Sequence, residues 1–107
     1  MRAIQVSAYG ESKELTLADV PVPEPGDGEV LVRLAYAGVN FIDVYMRQGV
    51  YKNLKTYRNV PPFTLGMEGA GTVDAVGPGV DGLRTGDRVA YCLSLGSYAE
   101  FAVVPAW

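Results

Sequence analysis

Apolar and polar residues alternate through Met1–Ala8 (MRAIQVSA), the pattern of a half-buried strand. Tyr9-Gly10-Glu11-Ser12 supplies a turn and Leu15–Val20 (LTLADV) forms a second strand, which predicts an N-terminal hairpin. Pro21, Pro23 and Pro25 follow at alternate positions. None can donate to a ladder, so this stretch is an extended connector, and Gly26-Asp27-Gly28 turns the chain. Glu29–Val39 (EVLVRLAYAGV) is the strongest strand, with Val30, Val32, Leu34 and Tyr36 on one face and Leu31, Arg33, Ala35 and Ala37 on the other. Apart from Arg33 both faces are apolar or small, which predicts a place in the middle of a sheet.

Asn40–Gly49 (NFIDVYMRQG) breaks the strand pattern. Asn40 is a good N-cap, Asp43 puts a carboxylate at the positive end of a helix, and Gly49 supplies the stop. Val50–Val60 has no period and reads as a loop, and Pro61-Pro62-Phe63 enforces extension. Thr64–Val76 is predicted to be one glycine-dotted strand. After the turn cluster Gly77–Gly82, further strands are predicted over Asp87–Leu93 and Tyr98–Val104, with Gly96-Ser97 turning between them. Short strands with turns at about 8–12-residue intervals point to an all-β barrel or sandwich. One short helix interrupts it, and 1–107 reads as one domain.

Composition narrows the functional classes. Of 107 residues 49% are apolar and 20% charged, which suits a folded globular domain. The nine basic residues are scattered and the net charge is −3, which argues against a nucleic-acid partner. No apolar run approaches the roughly 20 residues of a membrane span, and the N-terminus has no signal-peptide core, so a cytoplasmic protein is the default expectation. The chain has no histidine and one cysteine. That excludes histidine triads, histidine metal sites, cysteine cages and internal disulfides built from this chain alone. Cys92, among Ala90, Tyr91 and Leu93, is expected to be a buried small hydrophobe.

Three features carry candidate chemistry. Gly77-x-Gly79-x-x-Gly82 matches the letters of a dinucleotide fingerprint, but Pro78 sits inside it and a strand, not a helix, follows, so it reads as a turn. Gly66, Gly69 and Gly71 also lack a following helix and mark close backbone approach. Asn40, Asp43 and Tyr45 cluster at the helix start, where spacing alone favours capping and packing over a site. Glu68 is a carboxylate in an otherwise uncharged stretch. It needs a partner, with Arg33, Arg84 and Arg88 as candidates, or a polar site beside it. Tyr45, Tyr51 and Tyr57 bracket the loop and suit either a flat-ring pocket or a core.

Three runs together resemble the quinone oxidoreductase, zeta-crystallin-like branch of the medium-chain dehydrogenase/reductase superfamily. They are Gly38–Tyr51 (GVNFIDVYMRQGVY), Gly66–Gly77 (GMEGAGTVDAVG) with Gly86-Asp87-Arg88-Val89, and Gly96-Ser97-Tyr98-Ala99-Glu100. The resemblance covers essentially the whole chain. It implies the N-terminal GroES-like domain, mainly β: a partly open β-barrel with one or two short helices. It also implies a metal-free hydride transfer from NADPH to a quinone, in a cleft against a Rossmann domain. No βαβ unit occurs in 1–107, so that Rossmann half is expected outside this chain and the chain reads as a fragment. In the zinc alcohol dehydrogenases a cysteine stands at the position of Asn40 and a histidine at that of Met67, and both bind zinc; Asn and Met cannot form that N/S site. The implied catalytic residues are Asn40, Tyr45 and Tyr51. The implied cofactor contacts are Asn40, Phe41, Ile42, Asp43 and Tyr45, with no metal. The loop 50–60 would set acceptor size, and Glu68 would lie in a structural network near the position that zinc takes elsewhere. The full-length protein is expected to be a homodimer with no nucleic-acid or membrane partner. An enoyl or alkenal reductase of the same superfamily, or an inert isolated module, are the competing readings.

Overall fold

A computed structural model describes residues 1–106; Trp107, the last residue of the predicted domain, lies outside the described residues. The strands are β1 (Arg2–Val6), β2 (Leu15–Asp19), β3 (Glu29–Ala37), β4 (Phe63–Thr64), β5 (Glu68–Val76), β6 (Arg88–Cys92) and β7 (Phe101–Pro105). One α-helix, α1 (Phe41–Gln48), and a short 3-10 turn (Ser12–Glu14) complete the elements. The N-terminal hairpin forms as its alternation predicts, with Arg2 opposite Asp19 and Val6 opposite Leu15. The segment 21–25 joins no ladder.

The strands make two antiparallel sheets, ordered β2-β1-β4 and β6-β5-β3-β7. β3 lies between β5 and β7, as its two apolar faces predict. Arg33 is its outward exception. Its guanidinium meets Asp74 at 3.5 Å and covers the Phe101 ring at 5.6 Å from the centroid. The sheets do not close into a barrel. They are stitched by an isolated Ala3–Ala99 bridge and by backbone bonds from Ile4 N–H to Tyr98 O (2.8 Å), Leu65 N–H to Ile4 O (3.1 Å) and Tyr98 N–H to Leu65 O (2.9 Å). The expected partly open barrel is therefore a two-sheet arrangement among the described residues.

The predicted single strand 64–76 is divided between the sheets. Phe63 and Thr64 pair with β1, whereas Glu68 onward pairs with β3 and β6. Gly66 makes the break, with φ +101, a backbone conformation that side chains with a Cβ rarely adopt. The fingerprint-like glycines 77, 79 and 82 sit in the irregular connection before β6, and no helix follows them among the described residues. Cys92 is exposed, not buried. β6 is an edge strand whose outward face carries Arg88, Ala90 and Cys92 while Val89 and Tyr91 turn inward, so strand alternation overrides the apolar neighbourhood.

Two clusters form the core. Val6, Met46, Phe63, Leu65 and Met67 pack where α1 meets the smaller sheet. Val30, Val32, Val73, Ala102 and Val104 line the inner face of the larger one. No helix among the described residues is long and apolar enough to cross a membrane.

Candidate functional site

The site is built where β3 runs out into α1. Asn40 takes the extended N-cap conformation (φ −132°, ψ 157°) and Gly49 ends the helix in the left-handed region (φ 85°), both as the sequence predicts. The Asn40 backbone N–H donates to Asp43 Oδ2 at 3.0 Å, and the Asp43 N–H donates to the Asn40 carbonyl at 3.0 Å. Asp43 and Met46, three residues apart, point inward, with Asp43 only 3% exposed. The opposite side of the helix start therefore faces out. Phe41 is 79% and Tyr45 43% exposed, one helical turn apart, with Asn40 exposed beside them.

Of the residues the resemblance implies for the cofactor, Asn40, Phe41 and Tyr45 share this outer surface. Ile42 is half-buried against the core, and Asp43 is buried beneath the helix start. Tyr51 meets Tyr45 edge to face, with centroids 6.5 Å apart and planes at 84°. Tyr57 is half-buried against the same core cluster. Tyr36 and Val39, at the end of β3 and just after it, extend the exposed apolar rim beside Asn40.

Loop 50–60 has no strand or α-helix, as expected, yet it is pinned by a residue that periodicity could not reveal. Asn59 is 1% exposed; its Nδ2 donates to the Tyr51 carbonyl at 2.9 Å and its own carbonyl accepts the Tyr9 hydroxyl at 2.6 Å. The second unforeseen residue is Tyr98, whose hydroxyl donates to Asp43 Oδ2 at 2.5 Å. Its only signal in the sequence is membership of the Gly96–Glu100 run.

Glu68 forms no ion pair among the described residues, so of the two readings its sequence left open the arginine partner is not the one found. Arg33 and Arg88 both lie opposite Thr72, four residues along β5 from Glu68 and hence about 13 Å away. Arg33 pairs with Asp74 instead. Glu68 folds over Gly38, whose N–H donates to the Glu68 carbonyl at 3.1 Å. Met67 is 2% exposed, its thioether packed in the core near α1. Among the described residues no three His, Cys, Asp or Glu side chains cluster closely enough to hold a metal ion.

A family model for the alcohol dehydrogenase GroES-like domain matches residues 26–107. The chain belongs to this family. Within the medium-chain dehydrogenase/reductase superfamily, this GroES-like domain falls in the quinone oxidoreductase branch. It is 44% identical to the quinone oxidoreductase of Pseudomonas aeruginosa over 104 residues, 96% of this chain and 30% of that protein. A mycobacterial protein solved in complex with NADPH is 44% identical, with a TM-score of 0.88, over 99% of this chain and 32% of that one. Escherichia coli quinone oxidoreductase, also complexed with NADPH, is 33% identical with a TM-score of 0.88, over 99% of this chain and 31% of that one. The GroES-like domain described here thus spans about a third of the length of the relatives it matches.

Two hydroxyls of the domain are perturbed. Burial pushes Tyr91 up to about 12, and its oxygen has no hydrogen-bond partner among the described residues. Burial and then the hydrogen bond to Asp43 push Tyr98 well above the ordinary tyrosine range.

Proposed function

We propose that this GroES-like domain is the acceptor side of an NADPH-dependent quinone oxidoreductase, working in a cleft against a Rossmann domain. The observation that carries the reading is the outward pair Phe41 and Tyr45 flanking Asn40, backed edge-on by Tyr51. Flat apolar faces beside an exposed amide fit planar rings that need orientation and one or two hydrogen bonds. The similarity to two NADPH-bound structures supports the cofactor.

When bound, NADPH supplies the hydride. Asn40 offers its side-chain amide to a carbonyl or hydroxyl oxygen of the ligands. Phe41 and Tyr45 sandwich or wall the rings and keep water from them, and the Tyr45 hydroxyl can donate to an acceptor oxygen. Tyr51 braces Tyr45, and loop 50–60 limits acceptor size. Ile42 and Asp43 act from beneath by fixing the helix. A quinone accepts hydride readily because charge spreads into the hydroquinone anion, so orientation and modest hydrogen bonding are enough. With no histidine and one cysteine the domain cannot assemble a His/Cys zinc site by itself, which supports a metal-free reaction.

The test is a chimera in which residues 1–107 replace the equivalent stretch of E. coli quinone oxidoreductase. NADPH oxidation is followed with 1,4-benzoquinone and with an enoyl thioester. Preferred turnover of benzoquinone is expected. A folded, NADPH-binding chimera that reduces only the thioester, or neither acceptor, contradicts the reading.

A further inference from the structure

The Asp43 carboxylate is buried, and its bonds run through one oxygen. Oδ2 accepts from the Asn40 backbone N–H at 3.0 Å and from the Tyr98 hydroxyl at 2.5 Å, while Oδ1 is buried with no partner among the described residues. A buried carboxylate is costly unless donors compensate it, so with two donors each carries a large share. One belongs to the first residue of the proposed cleft. The other belongs to the strand link before β7, 55 positions further along the chain.

Tyr98 is itself held in place. Its N–H donates to the Leu65 carbonyl at 2.9 Å, its carbonyl accepts Ile4 N–H at 2.8 Å, and its ring lies on Gly66. A Cβ at Gly66 would stand 2.5 Å from Tyr98 Cδ1 and 2.8 Å from Tyr98 N. The glycine that separates the two sheets thus also seats the ring that reaches Asp43.

We propose that Tyr98 is a positioning residue: through Asp43 it fixes the Asn40 backbone, and with it the outward presentation of Asn40, Phe41 and Tyr45. In this proposal Tyr98 acts through Asp43 and not by contact with the ligands. It couples the junction of the two sheets to the start of α1, so the orientation of the amide and the aromatic pair is set by a contact remote in sequence. What is positioned rests on the quinone oxidoreductase reading; that Asn40 is positioned does not.

The test is Tyr98→Phe, which keeps the ring and deletes one donor. In the 107-residue chain, amide hydrogen exchange at Asn40 is expected to quicken about tenfold, the size of a lost hydrogen bond to a charged group. The amides of Val30 and Val32 in the larger sheet should be unchanged. In the chimera the same variant is expected to raise the KM for 1,4-benzoquinone severalfold at nearly constant kcat, a split that general destabilisation does not produce. Asn40 protected equally in both forms, or a KM that does not move although Asn40 is loosened, overturns the positioning role. Absence of quinone turnover in the unmutated chimera sinks only the functional reading, so the two failures are told apart. Should Tyr98→Phe not fold, the carbon-13 resonance of the Tyr98 ring carbon bearing the hydroxyl decides. It is expected to shift on Asp43→Asn in the otherwise unmodified chain, because the hydroxyl then donates to a neutral amide and not to a carboxylate, and a resonance that does not move would overturn the bond to Asp43.

Discussion

Gly38 lies directly beneath the side chain of Glu68, so that a Cβ on Gly38 would overlap Glu68 Oε1, Cγ and Cδ. The two residues are joined by the backbone bond from Gly38 N–H to the Glu68 carbonyl. This contact brings the end of β3 close against the start of β5, two positions before Asn40. The glycine is therefore set by its neighbour's bulk, and the carboxylate is laid over backbone instead of reaching for an arginine.

Gly38→Ala should destabilise the domain by about 1–3 kcal/mol, because the whole Glu68 side chain must swing aside. Adding Glu68→Ala removes the obstacle, so the double variant should fall within about 0.5 kcal/mol of Glu68→Ala alone. Gly71→Ala should cost more than Gly38→Ala, since there the new Cβ meets the Arg33 carbonyl, which is backbone and cannot rotate away. Urea denaturation of the four variants measures all three comparisons.

Met46 is fully buried beneath α1, packed with Val6, Phe63, Leu65 and Met67. Met46→Ala is expected to cost about 2–5 kcal/mol. The loss should appear as a lower urea midpoint at unchanged slope if the two clusters unfold together. Met46→Leu, which nearly conserves volume, should cost less than about 1.5 kcal/mol.

The alkaline limb of stability should be set by Tyr91 and Tyr98. Both hold their protons more tightly folded than at the ordinary value of 10.0. Above that pH the unfolded chain loses protons that the folded chain keeps, so fewer protons are bound unfolded and stability falls as pH rises. The contribution is whole below about pH 10 and is lost as pH climbs toward about 12 for Tyr91. Urea midpoints across that window should decline in the unmodified chain and decline less steeply in Tyr91→Phe.

The elements that the sequence reveals are those whose pattern is local. The hairpin of β1 and β2, the central place of β3, and the cap and stop of α1 at Asn40 and Gly49 follow from alternation, proline and capping chemistry. What escapes is decided by distant contacts. Thr64–Val76 reads as one strand because nothing in its apolar pattern shows that Gly66 takes a positive φ, close against Ser97 and Tyr98. Cys92 reads as buried because its neighbours are apolar, although their alternation on an edge strand turns it out. At the site, the exposure of Phe41 and Tyr45 follows from helical period once Asp43 and Met46 are known to face inward, whereas Asn40, the extended N-cap outside the helix, is not placed by that period. Asn59 and Tyr98 were hidden because their partners lie 8 to 55 positions away.

The central claim is that the Phe41–Tyr45 surface beside Asn40 receives the flat reactants. Steady-state kinetics of the chimera carrying Tyr45→Ala, at saturating NADPH with 1,4-benzoquinone varied, tests it most directly. A fall in kcat/KM of about tenfold or more is expected, corresponding to about 1.4 kcal/mol of lost transition-state stabilisation. An unchanged kcat/KM for benzoquinone, together with an unchanged KM for NADPH, would contradict the account.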